Sequence, residues 1–239
     1  MTFVIQRPGG ALAARPLHFF WLVDCSGSMY GEKIAAVNTA IEETLPEMRQ
    51  SAKENPNAQL LIRALSFSTG ASWITKEAVP VEDYQWQPMT ANGLTDLGAA
   101  LNLVADELTI PPMSERALPP VLVLLSDGQP TSEYKKSLDR LLHLPWGKKS
   151  VRIAISIGND ADKNVLQEFT GNQELVLQAD GAKSLTAAIK WASTVAAMVS
   201  TPASKQTSQT SSSSYVQASV DIDIQNKPDA AAITEDSVW

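Results

Sequence analysis

Apolar positions along this chain follow two alternating periods from residue 17 to about residue 200. The runs "LHFFWLV" (17–23) and "VLVLL" (121–125) are apolar throughout but for His18, as strands covered on both faces are. "SVRIAISIG" (150–158) and "ELVLQA" (174–179) extend the series. "AQLLIRALSFST" (58–69) and "SWITKEAVPV" (72–81) read as two neighbouring strands, with Gly70 marking a tight connection. The stretches between them change period. "EKIAAVNTAIEETLPEMRQSAKEN" (32–55) sets Ile34, Val37, Ile41, Leu45 and Met48 on one helical stripe. "TDLGAALNLVADEL" (95–108) does the same with Leu97, Leu101, Val104 and Leu108. Further helices are expected at "SEYKKSLDRLLHL" (132–144), near Val165 to Phe169, and at "SLTAAIKWASTVAAMVS" (184–200). Doubly apolar strands separated by helices predict an α/β fold: a doubly wound, mostly parallel, Rossmann-like sheet with helices on both faces.

The pattern divides the chain into an N-terminal extension (1–16), one domain (17–200) and a tail (201–239). Ten of the fifteen residues from 200 to 214 are serine or threonine, too few apolar groups to offset the entropy of ordering. That stretch reads as a flexible linker. Beyond it, "SVDIDIQ" alternates Val220, Ile222 and Ile224 with Asp221 and Asp223. Two readings stay open there, a disordered acidic tail and a short strand added to a sheet edge.

Composition narrows the function classes. The formal charge is −7, and the chain has no basic stripe of the kind nucleic acid requires. The same charge disfavours an anionic membrane surface, and no apolar stretch reaches transmembrane length. The run at 17–23 is too short for a signal-peptide core and ends in Asp24, so the expected location is cytoplasmic. A single cysteine, Cys25, agrees with a reducing compartment.

The candidate chemistry sits where strands end. In a doubly wound sheet, ligands gather beyond the carboxyl ends of the strands. "DCSGSM" leaves the first strand at that edge, "SDGQPT" leaves the "VLVLL" strand there, and "NGLTDLG" brings a threonine to the same rim. Asp24, Ser26, Ser28, Thr95 and Asp127 then offer two carboxylates and three hydroxyls. An all-oxygen set without histidine or thiolate suits a hard divalent cation, Mg²⁺ or Mn²⁺. Glycines 27, 93 and 128 are expected to let the backbone turn tightly enough to aim these short side chains. Asp96 is expected to cap the helix that follows it, and Asp160 and Asp180 to cap theirs.

"DCSGS", the later threonine of "NGLTDLGAAL" and the aspartate of "LLSDG", in that order, resemble the von Willebrand factor A domain and its metal-ion-dependent adhesion site. The resemblance covers residues 17 to 200. It implies that Asp24, Ser26, Ser28, Thr95 and Asp127 hold the metal and that a partner protein completes the site with an Asp or Glu. More narrowly, "DCSGSM.GEKI..VN.AI" and "SDGQPT" are similar to the bacterial TerY group associated with tellurium resistance and stress. That similarity implies an intracellular complex with a protein kinase and a phosphatase.

Two rival classes stand against this expectation, an enzyme and a purely structural module. A metal-dependent hydrolase on a similar sheet would need a second carboxylate two residues after Asp24, where Ser26 stands. A serine or cysteine hydrolase would need a histidine base, and the chain has only His18, at the far end of the first strand, and His143, late in a helix. "GNDADKN" is too poor in glycine for a phosphate loop. A structural module with a decayed metal site is disfavoured by all five positions being intact. The expectation is a metal-dependent protein-interaction module, not an enzyme.

Overall fold

The computed structural model describes residues 14–159 and 161–200. Most of the N-terminal extension, Asp160, the serine-rich stretch beyond Ser200 and the "SVDIDIQ" segment lie outside the described residues.

The elements run in chain order: β1 (Arg15–Asp24), α1 (Glu32–Glu54), β2 (Ala58–Ser68), β3 (Gly70–Trp73), β4 (Val79–Pro80), α2 (Leu97–Glu107), β5 (Val121–Ser126), α3 (Lys135–His143), α4 (Pro145–Lys149), β6 (Val151–Ile157), α5 (Lys163–Thr170), β7 (Val176–Ala179) and α6 (Ala182–Ser200). The sheet order is β3-β2-β1-β5-β6-β7, with β4 also pairing β2. β2, β1, β5, β6 and β7 are parallel, so the fold is the expected mostly parallel sheet between two helical layers.

Alternation along the central strands builds two cores. Phe19, Trp21 and Val23 of β1, with Val121, Val123 and Leu125 of β5, pack beneath α1 and α6. Phe20 and Leu22, with Leu122 and Leu124, face α2, α3 and α5. The helical stripes read from sequence point inward: Ile34, Val37, Ile41, Leu45 and Met48 of α1 are buried, as are Leu97, Leu101 and Val104 of α2 and the adjacent Leu108. α1 continues through Pro46.

One sequence reading is corrected. "SWITKEAVPV" forms no continuous strand but two short pieces, β3 and β4, each antiparallel to β2. Between the two pieces Arg63 of β2 donates to the carbonyls of Thr75 and Lys76, so its side chain holds the intervening segment. α4 was also unforeseen, since five residues carry no period.

Candidate metal centre

β1 and β5 lie side by side in register, with Val23 opposite Leu125, so Asp24 and Ser126 end their strands as neighbours. Asp24 is fully buried. Its Oδ1 accepts the Ser26 N–H at 2.9 Å, and its Oδ2 accepts the Ser126 hydroxyl at 2.6 Å. Burial pushes the Asp24 pKa up, the bonds from Ser126 and Ser26 oppose that shift, and the charge of Asp127 adds to it. The chain then makes a single turn of 3₁₀ helix (Gly27–Met29) that sets the Ser26 and Ser28 hydroxyls 3.0 Å apart.

Backbone bonds tie the three loops together. Gly27 N–H donates to the Gly93 carbonyl at 2.9 Å and Asn92 N–H to the Cys25 carbonyl at 2.7 Å, joining the Ser26–Ser28 turn to the segment before α2. Thr95, 5% exposed, is gripped by Thr131: its N–H donates to Thr131 Oγ1 at 3.0 Å, and its carbonyl accepts from the Thr131 N–H at 3.0 Å. The Asp127 carbonyl accepts the Asp162 N–H at 3.0 Å. Gly128 has φ +70°, and a Cβ there would stand 2.6 Å from the Asp162 carbonyl oxygen. Gly93 has φ +89° and abuts the Thr69 hydroxyl. Gly27 lies outside the left-handed region; Gly31, which opens α1, has φ +84° instead.

Asp127 is treated unlike Asp24. It is fully buried, yet neither carboxylate oxygen has a hydrogen-bond partner. The cation that faces it is Lys33, in the first turn of α1, with Nζ 3.9 Å from Oδ2. A buried, unbonded carboxylate beside a second buried carboxylate is costly unless a cation joins them. Backbone ties bring the segments that bear the five residues to one edge, and two carboxylates with three hydroxyls are an oxygen set of the kind a hard divalent cation takes. Among the described residues, no group of three or more His, Cys, Asp or Glu side chains could hold a metal by itself.

Asp96 is the cap of α2, its Oδ1 accepting from Ala99 N–H at 3.0 Å and from the Ser132 hydroxyl at 2.7 Å. The Asp180 carboxylate accepts the Gln178 amide at 2.5 Å, and Ser184 Oγ accepts the Asp180 and Gly181 N–H groups at the start of α6. Cys25 is buried against Met89, and its thiol is pushed up to about 12 by burial and by Asp24. It is therefore protonated and inert at neutral pH. His143 Nδ1 lies 2.6 Å from the Asp139 carbonyl, a helix-end contact far from this edge in sequence. Tyr30 and Leu94, next to the ligand-bearing segments, are 78% and 58% exposed.

Sequence reasoning missed Ser126, Thr131 and Lys33. Ser126 was legible in principle, since strand alternation places it on the same sheet face as Asp24.

No curated protein matches the chain. Among solved structures, the pilus adhesin SpaC of Lactobacillus rhamnosus GG, in its open conformation, superposes with TM-score 0.62 and 15% identity over 77% of this chain and 30% of that one. The ArnB paralog VWA2 of Sulfolobus acidocaldarius gives TM-score 0.55 and 18% identity over 75% of this chain and 45% of that one. Proximal thread matrix protein 1 of the mussel byssus, with a zinc-occupied MIDAS motif, gives TM-score 0.55 and 17% identity over 74% of this chain and 47% of that one. The chain thus spans less than half the length of these structures, and the likeness is one of fold. The family profile of the von Willebrand factor type A domain matches residues 20–190, most of the described sheet and its helices. The chain belongs to the von Willebrand factor type A domain family.

Proposed function

We propose that this protein is a metal-dependent protein-interaction module whose Mg²⁺ or Mn²⁺ is held by Asp24, Ser26, Ser28, Thr95 and Asp127. The observation that carries this reading is Asp127: two fully buried carboxylate oxygens with no hydrogen-bond donor, at the edge where Asp24 also ends its strand. A divalent cation held there by these residues would offer an anionic oxygen of a partner a hard, positively charged group to bind. The chain's own residues do the rest. Asp24 and Asp127 balance the charge, the 3₁₀ turn offers Ser26 and Ser28, and Thr131 fixes the backbone of Thr95. The partner contributes an Asp or Glu carboxylate. Tyr30 and Leu94 stand exposed beside the ligand segments, where apolar contact with that partner would add affinity.

The reading extends, on the resemblance to the TerY group, to a bacterial stress-defence complex that includes a kinase and a phosphatase and works in the cytoplasm. No helix among the described residues is long and apolar enough to cross a membrane. The site is non-catalytic in this reading: the acid two residues after Asp24 that a phosphoryl-transfer hydrolase uses is replaced by Ser26. The experiment is capture of partners from the native host with the wild type, Thr95→Ala and Asp24→Ala, each in Mg²⁺ and in chelator. Partners kept by the wild type in Mg²⁺ and lost in chelator and in Asp24→Ala support the module. Equal capture in chelator removes the metal bridge.

A further inference from the structure

Lys33 occupies a position that helix physics disfavours. It is the second residue of α1, a helix of 23 residues, and a cation in the first turn opposes the helix dipole. The N-cap is Gly31, which supplies no side-chain hydrogen bond to offset that cost. Yet the Lys33 side chain is only 13% exposed, and its Nζ lies 3.9 Å from Asp127 Oδ2. That distance is too long for a hydrogen bond and well within ion-pair range. The long stem of lysine reaches the site from the helix, while the carboxylate it faces has no hydrogen-bond donor.

We infer that the Lys33 ammonium is a tethered counter-ion for Asp127, exchanged for the divalent cation when metal binds. The inference rests on the metal-site reading above and adds how the site survives without metal and what sets its affinity. Metal-free, Lys33 offsets part of the charge that folding has buried at Asp127. Metal binding then requires the ammonium to withdraw, since two cations cannot share one carboxylate edge without repulsion. Lysine suits the role better than arginine, because its charge is a single point on a flexible stem that can retract into water. The device weakens the site deliberately, so that occupancy follows metal concentration and the empty domain remains folded.

The exchange gives effects of opposite sign. In Lys33→Met the aliphatic stem stays and the charge goes. In chelator this variant should melt below wild type, whereas a lysine acting only against the helix dipole would give the opposite shift on removal. In Mn²⁺ the variant should bind tighter by about tenfold, the order expected for losing one nearby unit charge in a partly buried site. At saturating Mn²⁺ its melting temperature should equal or exceed that of wild type. Lys33→Arg, which keeps the charge on a stiffer head group, should bind Mn²⁺ no tighter than wild type.

The test is Mn²⁺ titration by calorimetry, with melting curves in chelator and in saturating Mn²⁺, for wild type, Lys33→Met and Lys33→Arg. Tighter binding in Lys33→Met alone, with the crossed melting order, is the expected result. Unchanged or weaker Mn²⁺ affinity in Lys33→Met overturns the exchange while leaving the metal site standing. Should wild type take up no Mn²⁺ at all, the metal-site reading fails, and the exchange with it.

Discussion

Arg63 and Asp127 are both buried charged groups in this domain, and the fold treats them in opposite ways. Arg63, 7% exposed, is satisfied on every side. It pairs with Glu107 at the end of α2, donates to the carbonyls of Thr75 and Lys76, and stacks 4.0 Å over the Trp73 ring. Asp127, 0% exposed, is given no hydrogen-bond donor. Both charges were taken out of water at comparable cost. Around Arg63 the chain supplies the compensation itself, and the result is architecture: an edge segment pinned to the sheet. Around Asp127 it leaves the compensation incomplete, and the result is a place for something else. Other buried polar atoms lack partners too, among them Trp21 Nε1 and Tyr84 OH, but those are neutral groups; an uncompensated charge at a strand end is the costlier exception and the one that invites a ligand.

The largest expected effect tests the scaffold side. Arg63→Met keeps an apolar stem but leaves Glu107 without its partner and frees the Thr75 and Lys76 carbonyls. Stability should fall by about 3 kcal/mol, the usual scale for breaking one side of a buried pair. Urea unfolding measures it. A loss below about 1 kcal/mol would mean that the pair is effectively solvated and that the contrast with Asp127 is overstated.

Next in size is the neighbour that makes Asp24 unlike Asp127. Ser126 donates to Asp24 Oδ2 and accepts from the Gly128 N–H at 2.9 Å, so Ser126→Ala strips two buried groups of partners. In chelator the cost should be about 2 kcal/mol. With saturating metal it should shrink, because a cation on the two carboxylates stabilises the oxygen that Ser126 leaves. Equal cost in both conditions would show that Asp24 does not share its charge with a metal.

The smallest effect concerns pH. His18 lies near Arg63 and Glu107; burial lowers its pKa below the ordinary 6.5, Glu107 pulls it back up, and Arg63 lowers it further. The unfolded chain therefore takes up a proton near pH 6.5 that the folded chain refuses until lower pH. Stability contributed by neutral His18 is present above that value and declines as pH falls below it. His18→Phe should lessen the decline in melting temperature between pH 7 and pH 5. An identical decline in both proteins would assign the acid sensitivity to other groups.

The parallel core of the fold was legible because burial on both faces leaves no polar alternation to misread, and the stripe of α1 holds from Ile34 to Met48. The edge was not. The segment between β3 and β4 is held by Arg63, a residue of another strand, whose reach no local period encodes. The carboxylates and hydroxyls of the candidate site were readable from motif order and strand ends. Their unequal surroundings were not: that Ser126 turns its hydroxyl to Asp24, while Lys33 approaches Asp127 from α1, is a fact of packing.

The central claim is that the unsatisfied carboxylate of Asp127 belongs to a divalent metal. Equilibrium dialysis of the full chain against Mn²⁺, with wild type and Asp127→Asn side by side, tests it most directly. The account predicts one ion bound per wild-type chain and none in Asp127→Asn, with the variant folded and melting in chelator no lower than wild type, because a buried charge has been removed. Equal Mn²⁺ uptake by the two proteins, or none by either, would contradict it.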